Sequence, residues 1–203
     1  MSEAGWVYVI DDDDAVRDSL AVLFRTAGLA VRPFAGAREF LEAWSPQMTG
    51  CLVLDLKMPG MSGADLQAEL SRRGAQLPIL FLTAHGNIPA SVRAIQHGAV
   101  DFIVKPPDPR LLTERVRTVL AETSALQSMW ARLTDRERRI FACLAAGRNS
   151  KAIAAMLSIS TRTVEGHRTH LMRKLGVRNA LQLANLARRF DLSAYAEEAM
   201  QPA

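Results

Sequence analysis

No apolar run in this 203-residue chain is more than a few residues long, far short of the ~20 that a membrane-spanning helix needs. The opening Met1-Ser2-Glu3-Ala4-Gly5 has no basic segment ahead of an apolar one, so no secretory leader is expected. Cysteine is scarce: Cys51 and Cys143 stand far apart with no CxxC spacing. That excludes a disulfide framework and a cysteine-rich zinc site, and it leaves two buried thiols in a reducing cytoplasm as the expectation. There is no P-loop pattern, no nucleophilic triad, no internal repeat and no low-complexity tract. Nucleotide hydrolysis and acyl transfer therefore have no support.

What is present is ordinary in bulk, with 49% hydrophobic and 23% charged residues, but uneven in charge. Residues 1–122 hold 12 Lys and Arg against 15 Asp and Glu, whereas residues 123–203 hold 13 against 6. A basic third joined to an acidic first part points to nucleic-acid contact by the basic part.

The first 122 residues alternate strand and helix patterns. Apolar runs at Val7–Ile10, Leu29–Phe34, Leu52–Leu54, Ile79–Leu82 and Phe102–Val104 read as strands. Helical spacing follows each: Val16, Leu20, Leu23 and Phe24; then Phe40, Leu41 and Trp44; Leu66 and Leu70; Ser91, Val92, Ile95 and Ala99; and a helix from Leu111. Five βα units predict an α/β doubly wound five-stranded parallel sheet. The last helix carries Leu112, Val116, Val119, Thr123, Leu126 and Trp130 at spacings of 4, 3, 4, 3 and 4. That is either a heptad seam or a domain helix running into a linker over 123–132.

Four of the strands run into residues suited to phosphoryl chemistry. The first ends at Asp11 and Asp12, the third at Asp55, the fourth at Thr83 and the fifth at Lys105. Ligand sites in open parallel sheets lie outside the carboxyl ends of the strands, so these groups are expected to converge. Clustered carboxylates repel one another unless a cation sits among them. Mg²⁺ takes oxygen ligands, usually one or two carboxylates with water and phosphate. Asp55 is then a third ligand or a carboxylate nucleophile that forms an acyl phosphate. Lys105 offers a positive charge to Asp55 or to incoming phosphoryl oxygens, and Thr83 offers a hydroxyl.

From residue 133 the pattern is all helical. Thr134 with Glu137 three residues on is a capping box. A short helix with Ile153, Ala154 and Leu157 leads through Ser158-Ile159-Ser160 to a longer helix ending at Leu175 and Gly176, and Asn179 caps a last one. On the longer helix Val164, Leu171 and Leu175 share a face with Arg168, while Arg162, Gly166, Thr169 and Arg173 lie opposite, flanked by Glu165 and His170. An apolar back and a small, polar, basic front suit a major groove, and the preceding short helix gives helix-turn-helix order. His167 and His170 do not share one clean face with carboxylates and have no Cys near, so a metal pair is not expected.

Residues 6–122 resemble the receiver domain of two-component response regulators, a flavodoxin-like fold. The resemblance rests on Val9-Ile10-Asp11-Asp12-Asp13, Leu52-Val53-Leu54-Asp55, Lys57-Met58-Pro59-Gly60-Met61-Ser62-Gly63, Leu82-Thr83-Ala84 and Asp101-Phe102-Ile103-Val104-Lys105-Pro106. It implies Asp55 as phosphoacceptor from a sensor histidine kinase, and Mg²⁺ held by Asp11, Asp12, Asp55 and the Lys57 carbonyl. It also implies Thr83, Lys105 and Phe102 as the switch and a cis bond before Pro106. Pro107 stands where the family commonly has an aromatic residue. Residues 132–190 resemble the LuxR/NarL-type helix-turn-helix domain, through Leu133-Thr134-Asp135-Arg136-Glu137, Ala146–Ala154, Thr163-Val164-Glu165-Gly166-His167-Arg168 and Lys174-Leu175-Gly176-Val177. That resemblance implies base contacts from Glu165, Gly166 and Thr169. It implies phosphate contacts from Lys151, Arg162, His167, Arg173 and Lys174, and a dimer contact through 179–189. Asn149-Ser150 reverses the common Ser-Asn order.

The expected protein is a FixJ-type cytoplasmic response regulator, with a receiver over 1–122, a linker over 123–132 and a DNA-binding domain over 133–203. Phosphorylation would change the face around the fourth helix and give a homodimer on double-stranded DNA, with RNA polymerase a further partner. Two rivals are a Mg²⁺-dependent phosphatase with an aspartyl nucleophile among Asp11-Asp12-Asp13 and an architectural DNA binder with a degenerate receiver. The all-helical basic second part opposes the first, and the complete Asp, Thr and Lys set opposes the second.

Overall fold

Alternation of apolar side chains along the strands decides which face of the sheet each residue covers. In the computed structural model, which describes residues 5–84, 99–187, 189, 190 and 192, the strands are β1 (Trp6–Ile10), β2 (Val31–Phe34), β3 (Gly50–Asp55), β4 (Ile79–Thr83) and β5 (Asp101–Val104). All pair in parallel, in the order β2-β1-β3-β4-β5. Tyr8, Ile10, Leu52, Leu54, Ile79 and Phe81 face one layer, with Phe40, Leu66 and Leu70. Val7, Val9, Cys51, Val53, Leu80 and Leu82 face the other, with Leu20, Phe24, Leu112 and Val116. Helices α1 (Asp14–Thr26) and α4 (Pro109–Ala131) thus cover one face, and α2 (Ala37–Ala43) and α3 (Gly63–Arg72) the other. β3, central and buried throughout, reads as a continuous apolar run because both its faces are covered.

Contacts divide the chain into Met1–Ala125 and Leu126–Ala203. The predicted fourth helix, Ser91 to Ala99, lies outside the described residues apart from its last position, as do His85 to Pro89 and the tail from 193. The described helices of the second unit are α5 (Asp135–Ala145), α6 (Ser150–Met156), α7 (Thr161–Leu175) and α8 (Ala180–Ala187). Thr134 and Glu137 form the reciprocal cap of α5, and Ser160 accepts from the Thr163 N–H at the start of α7. Gly176 ends α7 at φ 66°, a left-handed conformation that glycine adopts without steric cost. Ser158 also lies at positive φ, 51°, in the turn before α7. Ile140, Phe141, Ile153, Val164, Leu171, Leu175 and Leu183 form the core.

The heptad spacing in α4 is not a free seam. Leu112, Val116 and Val119 are buried against the sheet, the Thr123 hydroxyl donates to the Val119 carbonyl, and the Trp130 ring stacks on Phe190 at 4.9 Å. Its apolar ends are covered within each unit, and only Thr123 and half-buried Leu126 lie between them. No helix among the described residues is long and apolar enough to cross a membrane.

Candidate functional site

The order β2-β1-β3 reverses the winding between β1 and β3, which opens a crevice at their carboxyl ends. The acidic run beyond β1 divides its work there. Asp11, 1% exposed, turns inward, and its Oδ1 accepts from the Asp13 N–H at 3.1 Å. Asp12 is exposed beside it. Asp13 caps α1 by accepting from the N–H groups of Ala15 and Val16 at 2.9 and 3.2 Å. Asp14 pairs with Arg17, whose guanidinium also donates to the Asp11 carbonyl at 2.7 Å. Position in the turn, not residue type, separates candidate ligand from helix cap.

Asp55 ends β3. One carboxylate oxygen from each of Asp11, Asp12 and Asp55 lies within 4.8 Å of the others. An octahedral cation with 2.0–2.1 Å bonds holds its ligands about 2.9–4.2 Å apart, so these three carboxylates would draw closer together on binding Mg²⁺. The donors are all hard oxygens, which also fits that ion. Lys105 spans the pocket: its Nζ lies 2.6 Å from Asp11 Oδ2 and 3.3 Å from Asp55 Oδ1. Burial pushes the Asp55 carboxyl above the usual range, and the Asp11 charge adds to that, against the opposing pull of Lys105 and the Lys57 N–H. For Lys105 burial acts downward, but the hydrogen bond to Asp11 and the charges of Asp11 and Asp55 outweigh it, leaving the ammonium above its ordinary value.

Thr83 is buried at the end of β4, and its carbonyl accepts from the Lys105 N–H at 2.7 Å. This bond continues the β4–β5 ladder at the carboxyl end of the sheet, where β3 ends on Asp55. Phe102 is half-buried with its ring 5.6 Å from Phe81. Lys57 is exposed in the loop after β3. The Lys105–Pro106 bond is cis, as the receiver resemblance implies.

Two supporting residues were not singled out in the sequence. Arg17 ties α1 to the Asp11 backbone. Gly63 brings α3 against β3 so closely that a Cβ there would lie 2.3 Å from the Asp55 carbonyl oxygen. The Gly63 N–H donates to the Leu56 carbonyl at 3.0 Å. The sequence signal was Met58-Pro59-Gly60-Met61-Ser62-Gly63, but the need for glycine at the last position is a contact with a residue eight positions earlier.

In the second unit α6, a tight turn and α7 form the helix-turn-helix. Lys151, Arg162, Glu165, Gly166, Thr169 and Arg173 are all exposed, and His167 is half-buried. The Thr169 hydroxyl donates to the Glu165 carbonyl at 3.0 Å, so its proton is used within the helix. Glu165 accepts from the Ser150 hydroxyl of α6. Lys174, expected at a DNA phosphate, has partners within its own domain: its Nζ lies 2.7 Å from Glu137 Oε2 and donates to the Arg132 carbonyl at 3.3 Å. Glu137 is buried and needs a cation, so Lys174 serves the interior of its own domain. Burial raises the Glu137 carboxyl, but Lys174 and the two Thr134 donors outweigh it and hold the group below its ordinary value.

Residues 7–117 match the response regulator receiver domain family, and residues 131–187 match the bacterial regulatory proteins of the luxR family. The chain is 40% identical over 205 residues to Nodulation protein W of Bradyrhizobium diazoefficiens, covering 96% of this chain and 90% of that protein. It is 41% identical over 197 residues to the transcriptional regulatory protein FixJ of Azorhizobium caulinodans, covering 92% and 93%. Among solved structures, full-length FixJ from B. japonicum is similar with a TM-score of 0.55 and 37% identity, over 91% of this chain and 96% of that one. The response regulator StyR is similar with a TM-score of 0.56 and 38% identity, over 91% and 98%.

Proposed function

Because the chain belongs to the two-component response regulators that join a receiver to a LuxR-type DNA-binding domain, we propose that Asp55 is its phosphoacceptor and that phosphorylation there controls dimerisation and sequence-specific binding to double-stranded DNA. The chain is a transcriptional regulator and not an enzyme, like the relatives it matches. One observation carries the Asp55 reading: three carboxylates from β1 and β3 meet within 4.8 Å, with the Lys105 ammonium against two of them.

In this reading an Asp55 oxygen attacks the phosphorus of a phosphohistidine on a sensor histidine kinase. The P–N bond breaks, an acyl P–O bond forms, and the imidazole keeps the electron pair and takes up a proton. Asp11, Asp12, Asp55 and the Lys57 carbonyl would hold Mg²⁺, which when bound neutralises charge on the transferred phosphoryl oxygens. Lys105 turns its charge from Asp55 to those oxygens, and the Thr83 hydroxyl donates to one of them. Phe102 repacks beside Phe81 as Thr83 moves, which favours an active state already sampled by the unphosphorylated protein. Lys151, Arg162, His167 and Arg173 meet DNA phosphates, while Glu165, Gly166 and Thr169 face base edges. The protein works in the cytoplasm, as a homodimer when phosphorylated, and RNA polymerase is a candidate partner at the promoter.

The test is sedimentation of the purified protein with and without beryllofluoride and Mg²⁺, repeated with Asp55→Asn. A shift to dimer in the wild type alone is expected. The same shift in Asp55→Asn, or labelling of that variant by a small-molecule phosphodonor, would remove Asp55 from the role.

A further inference from the structure

Ser150 opens α6 and yet does not cap it. The cap is Asn149, whose side chain accepts from the Ala152 N–H at 2.9 Å. The Ser150 hydroxyl is therefore available, and it donates to Oε1 of Glu165, fifteen residues away on α7. Glu165 is exposed, and among the described residues no ion pair engages it. An exposed glutamate is an unfavourable group to carry toward a polyanion unless it is held where it meets a donor on a base. Side chains of this kind otherwise range over many rotamers, and ordering them on binding weakens the complex.

We infer that Ser150 is a specificity-determining residue that acts through Glu165. Its hydroxyl fixes the Glu165 carboxylate on the exposed front of α7, which leaves Oε2 to accept from the exocyclic amino group of a cytosine in the major groove. Gly166 beside it has open space where a Cβ would stand, so the fixed carboxylate has a bare strip of helix next to it along which a base edge can approach. The reversed Asn149-Ser150 order then has a physical consequence: asparagine takes the cap and frees a hydroxyl to reach α7. Ser150 itself touches no base and is a positioning residue. The inference rests on the DNA-binding reading of the second domain.

The experiment is selection from a randomised duplex library with the full-length protein activated by beryllofluoride and Mg²⁺. It compares wild type, Ser150→Ala, Ser150→Thr, Glu165→Gln and Ser150→Ala/Glu165→Gln. Wild type should select a C·G pair at one position of each half-site, and Glu165→Gln should lose that preference. Ser150→Ala should weaken discrimination at the same position by roughly threefold to tenfold, the worth of one hydrogen bond, with other positions and the melting temperature little changed. Ser150→Thr should retain the preference, and Ser150→Ala should add nothing in the Glu165→Gln background. An unchanged Ser150→Ala preference, or a uniform loss of affinity at every position, would overturn the inference while leaving the DNA-binding reading intact. Failure of the activated wild type to select any sequence would overturn both.

Discussion

Replacing Lys174 by methionine separates two roles for one cation. The Glu137 side chain is 6% exposed. Its Oε2 accepts from the Thr134 N–H at 2.9 Å, the Thr134 hydroxyl at 3.1 Å and Lys174 Nζ at 2.7 Å. Lys174→Met keeps most of the aliphatic stem and removes the charge, leaving a buried carboxylate with only the neutral donors of its own helix cap. Breaking a fully buried pair costs about 3–5 kcal/mol, and an exposed pair is worth about 0.2–1 kcal/mol. The Lys174 side chain is 38% exposed, so solvent screens one side and the expected loss is about 2 kcal/mol. In a domain of this size that lowers the midpoint of thermal unfolding by about 8–16 °C.

Trp130 is half-buried and packs against the core of the second unit, with its ring 6.1 Å from Phe141. Its emission in a Trp6→Phe/Trp44→Phe background therefore follows this domain alone. The sign of the pH dependence is fixed as well. A carboxyl held below its ordinary value contributes stability above the unfolded pKa, here about 4.5, and loses it as pH falls through the folded value. The difference between wild type and Lys174→Met should thus be full while Glu137 is ionised in both folded proteins and close as acid protonates it, first in Lys174→Met and then in the wild type. Lys174→Met in a Glu137→Gln background should cost much less, because no buried charge is then stranded. The reasoning is refuted if Lys174→Met melts with the wild type and instead weakens binding to all DNA sequences with a shallower salt dependence, which is the signature of a phosphate contact.

Three further outcomes follow from particular side chains. Burial holds the Asp55 carboxyl above its usual range, so its ionised form opposes folding at neutral pH. In metal-free buffer Asp55→Asn should melt higher than wild type at pH 7, with the gap closing as the carboxyl protonates under acid; equal melting at both pH values would contradict the burial argument. Gly63→Ala drives a Cβ to 2.3 Å from the Asp55 carbonyl oxygen. It should destabilise the receiver by about 1–3 kcal/mol in urea unfolding and slow phosphodonor labelling, whereas wild-type stability would show that α3 shifts freely. Gly166→Ala meets no atom within 4 Å, so it should stabilise the second domain by up to about 1 kcal/mol while lowering DNA affinity. Undiminished affinity would remove Gly166 from the base-facing strip.

The sequence by itself determined what depends on local periodicity and on chain order. Short continuous apolar runs at β1, β3 and β4 and the helical spacing in α1, α3 and α7 specify the elements, because a strand covered on both faces is apolar throughout and a helix repeats every 3.6 residues. Elements that alternate as strand and helix admit few parallel topologies, and in those the strand ends converge. Asp11, Asp12, Asp55, Thr83 and Lys105 could therefore be grouped before any contact was known. Caps were equally legible: Thr134 with Glu137, Ser160 and Gly176 act within one turn of their own helices.

Only the tertiary structure decided which groups meet across long separations. Nothing local distinguishes Lys174 from other basic residues on α7; its partner Glu137 lies 37 residues away, on another helix. The same holds for Ser150 on Glu165, for Gly63 against the Asp55 carbonyl, and for the seam of α4, whose spacing is that of a coiled coil although the two cores cover its ends. The acidic run sorts itself only when folded, since Asp11 faces the crevice and Asp13 caps a helix for reasons of backbone direction. Periodicity names the face on which a side chain lies, but the partner depends on how distant elements pack, and a single chain does not encode that locally.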